Sequence, residues 1–187
     1  MWTIIIVVAI IVILALIVLG TYNGLVKARN MCDEAWSTID VQLKRRHDLV
    51  PNLVETVKGY AEHETEAFKN VTEARAAAIS ARTPQEAGRA EGLLTAALGQ
   101  LFAIAEAYPQ LRAVESFTQL QAELTNTEDQ IAAARRIYNG NVQSYETKRQ
   151  QFPGLLVAGP FGFSPRQYFE IENAAEKEPV KVDFGTS

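Results

Sequence analysis

The pattern of hydrophobic and polar positions changes character once, near residue 20. Residues 4–19 are apolar without a break, preceded by Met1-Trp2-Thr3 and closed by Gly20, and no charge falls among them. As a helix, residues 2–20 span about 28 Å at roughly 1.5 Å per residue, close to the roughly 30 Å hydrocarbon core of a bilayer. A cleaved secretory signal calls for a charged leader, a shorter apolar core and a small-x-small cleavage site. No Lys or Arg precedes the run, and residues 16–24, IVLGTYNGL, hold no such site. Residues 1–21 therefore read as a retained transmembrane anchor.

Beyond the anchor the apolar positions recur at helical spacing, and Pro51, Pro84, Pro109 and Pro153 divide the chain. Cys32, Trp36, Ile39 and Leu43 form one stripe of a first segment ending near Asp48. Leu53, Val57, Tyr60, Ala67, Val71, Ala74 and Ala78 mark a second segment, with Pro51 suited to its first turn. Thr83-Pro84-Gln85-Glu86 is a capping box and opens a third, whose apolar face is Ala87, Ala90, Leu94, Ala97, Leu101, Ile104 and Tyr108. Gly88, Gly92 and Gly99 weaken that helix by roughly 1 kcal/mol each relative to alanine and leave room for a close neighbour. The fourth segment carries Leu111, Val114, Phe117, Leu120, Leu124, Ile131, Tyr138, Val142 and Tyr145. Pro109 either separates the third and fourth segments or kinks one longer helix.

The expected fold is all-α: a transmembrane helix continuing into an antiparallel four-helix bundle over residues 22–151, or alternatively two long hairpinned helices in an extended coiled coil. Residues 152–187 form a mostly irregular tail. Its alternating end, Val180, Val182 and Phe184, reads as a short strand that needs a partner strand, or as a disordered terminus.

Composition narrows the function. The net charge of −4 argues against a nucleic-acid partner, and one cysteine excludes a disulfide-stapled secreted domain. Lys27 and Arg29 just past the span, with Lys44, Arg45 and Arg46 further on, place the N-terminus outside and the bundle in the cytoplasm. A straight helix puts residue 45 about 37 Å beyond Gly20, too far for a lipid headgroup site at physiological salt; acidic residues such as Asp48, Glu55 or those of neighbouring helices are its expected partners.

Catalytic chemistry finds no foothold. His47 and His63 lack companions at metal-ligand spacing, Cys32 lies on an apolar stripe without a Cys-His signature, and there is neither a phosphate loop nor a nucleophile elbow. No cofactor, metal site or enzyme activity is expected. Glu64, Arg75, Glu106, Glu128 and Arg135 sit at or beside apolar stripes and are the expected structural ion pairs where they are buried.

Several blocks together resemble the bacterial LemA family: residues 22–26 (YNGLV), 40–54 (DVQLKRRHDLVPNLV), 57–60 (VKGY), 106–111 (EAYPQL), 134–139 (ARRIYN) and Phe152-Pro153. The resemblance runs from the anchor to the final Val-x-Val-x-Phe. It implies a single-pass inner-membrane protein with a cytoplasmic four-helix bundle, no established enzymatic activity, a link to envelope processes, and relatives among proteins needed to form magnetosome membranes.

Two functions remain. The first is a scaffold that self-associates on the bilayer through bundle faces and the tail, with Leu155, Leu156, Phe161, Phe163, Val180, Val182 and Phe184 as the candidate interface, because a contiguous apolar, breaker-rich stretch is costly to leave in water. The second is a membrane-tethered adaptor recruiting a protease or signalling protein.

Overall fold

Residues 1–171 are described by the computed structural model. Among them there are six helices and no strand. Helix α1, Trp2–Lys58, begins with the apolar run, none of which is buried within the chain. It then continues without interruption through Gly20, Gly24 and Pro51. The expected boundary at Pro51 is therefore corrected: the break falls at Gly59, and helix α2 spans Thr65–Ser80. Val50, Leu53 and Val57 extend the apolar stripe past the proline and are buried. Burial of such side chains contributes about 1.5–3 kcal/mol each, which outweighs the roughly 3 kcal/mol an interior proline costs a helix.

Helix α3, Pro84–Glu106, opens on the expected capping box. Glu86 N donates to Thr83 Oγ1 and Thr83 N donates to Glu86 Oε2, both at 3.2 Å. Pro109 does separate the next elements. Tyr108 leaves the helical conformation before it, as a residue preceding proline prefers, and a single turn, α4 (Pro109–Arg112), leads to helix α5, Glu115–Gln150. A short helix α6, Gly154–Ala158, follows.

The chain divides into two compact units. The first joins Met1–Gln42 to Gln130–Tyr168. Its buried stripe on α1 is Leu25, Ala28, Cys32, Ala35 and Ile39, and on α5 it is Ile131, Ala134, Tyr138, Val142 and Tyr145. Both follow the three-four spacing of a one-sided helix. Trp36 packs on Tyr138 with ring centroids 5.3 Å apart, and Asn141 Nδ2 donates to the Met31 carbonyl at 2.9 Å, so within this unit α5 descends as α1 ascends. The second unit joins Leu43–Asp129 to the segment starting at Phe169. Its core is Val50, Leu53 and Val57 of α1, Phe68 and Val71 of α2, Leu94, Leu98 and Leu101 of α3, Leu111 of α4, and Phe117 and Leu124 of α5.

The third-segment glycines divide by environment. A Cβ on Gly88 would run into the Glu170 carbonyl oxygen, so the close neighbour is an irregular segment and not a helix; Gly99 faces open space.

Candidate functional site

The second unit holds a buried charged cluster. Arg46 and His47 are adjacent on α1 and both turn inward, with Leu43 and Val50 one turn to either side. Across from them Glu91 of α3 is 1% exposed. His47 Nε2 lies 2.6 Å from Glu91 Oε1, and Arg46 Nη1 donates to Glu91 Oε2 at 3.1 Å. Arg46 Nη2 donates to Thr95 Oγ1 at 2.8 Å, and its Nη1 also pairs with Glu128 Oε2 of α5 at 3.0 Å.

An imidazole N–H is a suitable donor to a carboxylate oxygen, and His47 and Glu91 meet at that distance. Glu91 thus has a partner on each oxygen, as a buried carboxyl group requires. The cluster locks α1, α3 and α5 in one register within its unit. Next to the cluster lies a groove of about 320 Å³, with Leu98, Phe102 and Leu124 as its floor and Thr95, Thr125, Glu128 and Asp129 at its rim.

The backbone of α1 is completed from the same place. Proline has no amide hydrogen, so Pro51 leaves the His47 carbonyl without its helical donor. Arg75 of α2 supplies one: its Nε donates to His47 O at 2.7 Å.

The first unit is held by a polar and aromatic belt along the tail. Tyr138 OH donates to Gln167 O and Tyr145 OH to Ser164 O, each at 2.8 Å. Arg166 Nη1 pairs with Asp33 at 2.6 Å, and Arg166 N donates to Glu146 Oε1 at 2.8 Å. Burial opposes ionisation of Glu146, but hydrogen bonds from Arg149, the Arg166 backbone and Gln150 outweigh it and hold the carboxyl below its ordinary range. Burial also lowers Arg166, yet its bond and charge pairing with Asp33 leave it raised. Burial pushes the Tyr138 phenol up to about 12, and it raises the Cys32 thiol as well. A raised, buried thiol is the opposite of a reactive thiolate.

Of the expected ion pairs, Glu128 pairs with Arg46 while remaining 42% exposed at its side chain. Arg75 bonds to a carbonyl, where a carboxylate was expected. Among the described residues Glu64, Glu106 and Arg135 form no ion pair within 4.0 Å: Glu106 is exposed and the other two are half-buried, so water solvates their charge and burial does not force a partner on them. Arg45 reaches Glu123 at 3.9 Å. The basic stretch does pair across helices, through Arg46 most of all. Glu91 was missed, although it lies on the α3 stripe between Ala87 and Leu94. A lone acid on that stripe, with Arg46 on the facing stripe between Leu43 and Val50, was the available signal.

Of the candidate interface residues, Leu155, Leu156 and Phe161 are exposed. Phe163 is buried in its own unit, with Tyr22 edge-on at 5.5 Å and the Arg29 guanidinium 5.4 Å from its ring centre, so the intact tail does not present it to a partner. Val180, Val182 and Phe184, and with them the expected strand, lie outside the described residues. Among the described residues no three His, Cys, Asp or Glu side chains gather as a metal would require.

The chain is similar to proteins of known family. It is 25% identical to Magnetosome protein MamQ 2 of Paramagnetospirillum magneticum over 181 residues, covering 83% of this chain and 66% of that protein. It is 24% identical to Magnetosome protein MamQ of Magnetospirillum gryphiswaldense, again over 181 residues with the same coverage. It thus spans just under two thirds of the length of these magnetosome relatives. Protein LemA of Metamycoplasma hominis is 28% identical over 168 residues, which cover 88% of this chain and 74% of that protein. Residues 35–184 match the model of the LemA family from the α1 stripe through the buried cluster to the tail, and the chain belongs to that family.

Proposed function

We propose that this is a membrane-anchored, non-enzymatic scaffold that associates with copies of itself at the bacterial cytoplasmic membrane. The observation that carries the membrane role is α1, which runs from an unburied apolar span directly into the buried stripe of the first unit. One helix serves both lipid and protein, so displacement of the domain is transmitted to the anchor without a flexible joint. In this reading α1 crosses the bilayer once with its N-terminus outside, because Lys27 and Arg29 flank the inner end. The long helices α1, α2, α3 and α5 make an antiparallel four-helix bundle in the cytoplasm. The pairing of Arg46 with Glu91, Thr95 and Glu128 across three helices, and the raised, buried Cys32 thiol, support a structural role.

Self-association is supported by the outer face of α2 and α3. Leu93 is exposed there, and a shallow surface lined by Ala74, Ala77, Leu93, Ala96 and Ala97 admits a helix at close range. The test is the mass of the full-length protein in mild detergent. A multimer that Leu93→Glu dissociates supports the scaffold, whereas a wild-type monomer rules it out.

A second reading is favoured by the groove beside Arg46 and Glu128: an apolar floor with an acidic rim suits a basic, amphipathic segment of a recruited membrane protease or signalling protein. A stoichiometric partner captured by the wild type and lost in Leu98→Glu would favour that adaptor role.

A further inference from the structure

The first unit carries an apolar patch that the anchor alone does not use. Between residues 152 and 165 there is no charged side chain. Within this stretch Val157, Ala158 and Phe163 turn inward, while Phe152, Leu155, Leu156 and Phe161 are 81%, 62%, 65% and 54% exposed. Four large apolar groups held in water over ten residues is a costly arrangement for a surface without a partner.

Their height along α1 identifies the partner. Tyr22 lies two residues past Gly20, only about 3 Å along the helix from the end of the apolar run. Its ring meets Phe161 edge-on at 5.2 Å and Phe163 at 5.5 Å. The α5 register gives the same level independently. Asn141 is bonded to Met31, and Tyr22 and Gln150 each lie nine residues from that tie, about 13.5 Å in the same direction. Helix α5 therefore ends level with Tyr22, and residues 152–161 begin where the apolar span stops. The segment is held there by Tyr145 OH on Ser164 O and by Arg29 over Phe163.

We propose that residues 152–161, with α6 at their centre, form a second membrane contact that seats Phe152, Leu155, Leu156 and Phe161 in the headgroup region beside the span. The inference rests on the anchor reading above. It accounts for the chemistry of the patch: short, uncharged, aromatic at its ends and glycine- and proline-rich, with Tyr22 at the interface where aromatic rings concentrate. Exposed Lys27 and Lys148, one to two turns away on α1 and α5, lie within about a Debye length of anionic headgroups. The patch converts a single tether into a two-point attachment that sets the tilt of the first unit against the bilayer.

The test uses the full-length chain in phosphatidylethanolamine–phosphatidylglycerol vesicles. An environment-sensitive fluorophore is placed separately at Leu156→Cys, Gln143→Cys and Leu14→Cys. Native Cys32 is fully buried and stays, with labelling at one site checked by mass. The expected result is a blue shift and loss of most emission at Leu156→Cys with lipids carrying a nitroxide near the headgroup, no loss at Gln143→Cys, and loss at Leu14→Cys with a nitroxide deep in the acyl chain. A Leu156→Cys label that emits like Gln143→Cys, beside a quenched Leu14→Cys, overturns the second contact and leaves the anchor standing. An unquenched Leu14→Cys overturns the anchor and this inference with it. Because Leu156 is exposed, its substitution leaves the fold unchanged, and circular dichroism of each labelled protein verifies that.

Discussion

Arg75 donates its Nε–H to the carbonyl of His47 at 2.7 Å, filling the vacancy that Pro51 leaves in the α1 hydrogen-bond ladder. A proline in mid-helix and an arginine on a different helix thus act as one unit. Arg75→Ala is expected to cost about 1–3 kcal/mol, the penalty for stranding a buried carbonyl. In a Pro51→Ala background the restored amide hydrogen competes for the same oxygen, and the cost of Arg75→Ala falls. A double-mutant cycle by chemical denaturation reads this coupling; additive effects would separate the two residues.

The buried cluster makes a graded prediction. Glu91→Ala leaves Arg46 and His47 facing each other without their shared acceptor, and a loss of about 3–5 kcal/mol is expected. Glu128 touches the same guanidinium but is well solvated, so Glu128→Gln should cost at most about 1 kcal/mol. Equal melting temperatures for the two variants would show that Glu91 is not the keystone of the cluster. Replacing Arg46 by Met and Glu91 by Leu together should recover part of the loss, because the buried guanidinium and carboxyl are removed together.

Two glycines of α3 should respond with opposite sign. Gly99→Ala meets nothing and raises helix propensity, so a gain of about 0.5–1 kcal/mol is expected. Gly88→Ala drives a methyl group into the backbone at Glu170, and a loss of about 1–3 kcal/mol is expected as the 169–171 segment shifts. Thermal melts of the two variants check both signs.

Tyr138 gives a pH signature. Its phenol is held at about 12 by burial, above the unfolded value of roughly 10. The folded state keeps this proton more firmly, so the associated stability is fully present below about pH 10 and is lost as the pH rises through about 12. Tyr138→Phe removes the bond to Gln167 O and should lower stability by about 0.5–1.5 kcal/mol at neutral pH. The gap between the two proteins should narrow between pH 10 and pH 12. A constant gap over that window would mean that the phenol is not buried in solution.

Much of the architecture is legible in the sequence. The uncharged run of residues 4–19, the three-four spacing of Cys32, Ile39 and Leu43, and the Thr83–Glu86 capping box depend on local periodicity and on groups three or four residues apart, which a sequence states directly. Long-range decisions were not legible. The end of α1 is not legible at Pro51, because the compensating donor, Arg75, lies 24 residues away. Glu91 looked like an ordinary helix residue until Arg46 and His47 arrived opposite it. Phe163 and Leu156 belong to one apolar stretch, yet one is buried against Tyr22 and the other points outward, because α5 returns to the end of the span and turns only one side of the segment inward. Sequence determined most of the helices, the apolar N-terminal run and the family of this protein. Tertiary structure alone decided which charges meet and which apolar side chains remain uncovered, because both depend on distances between residues far apart in the chain.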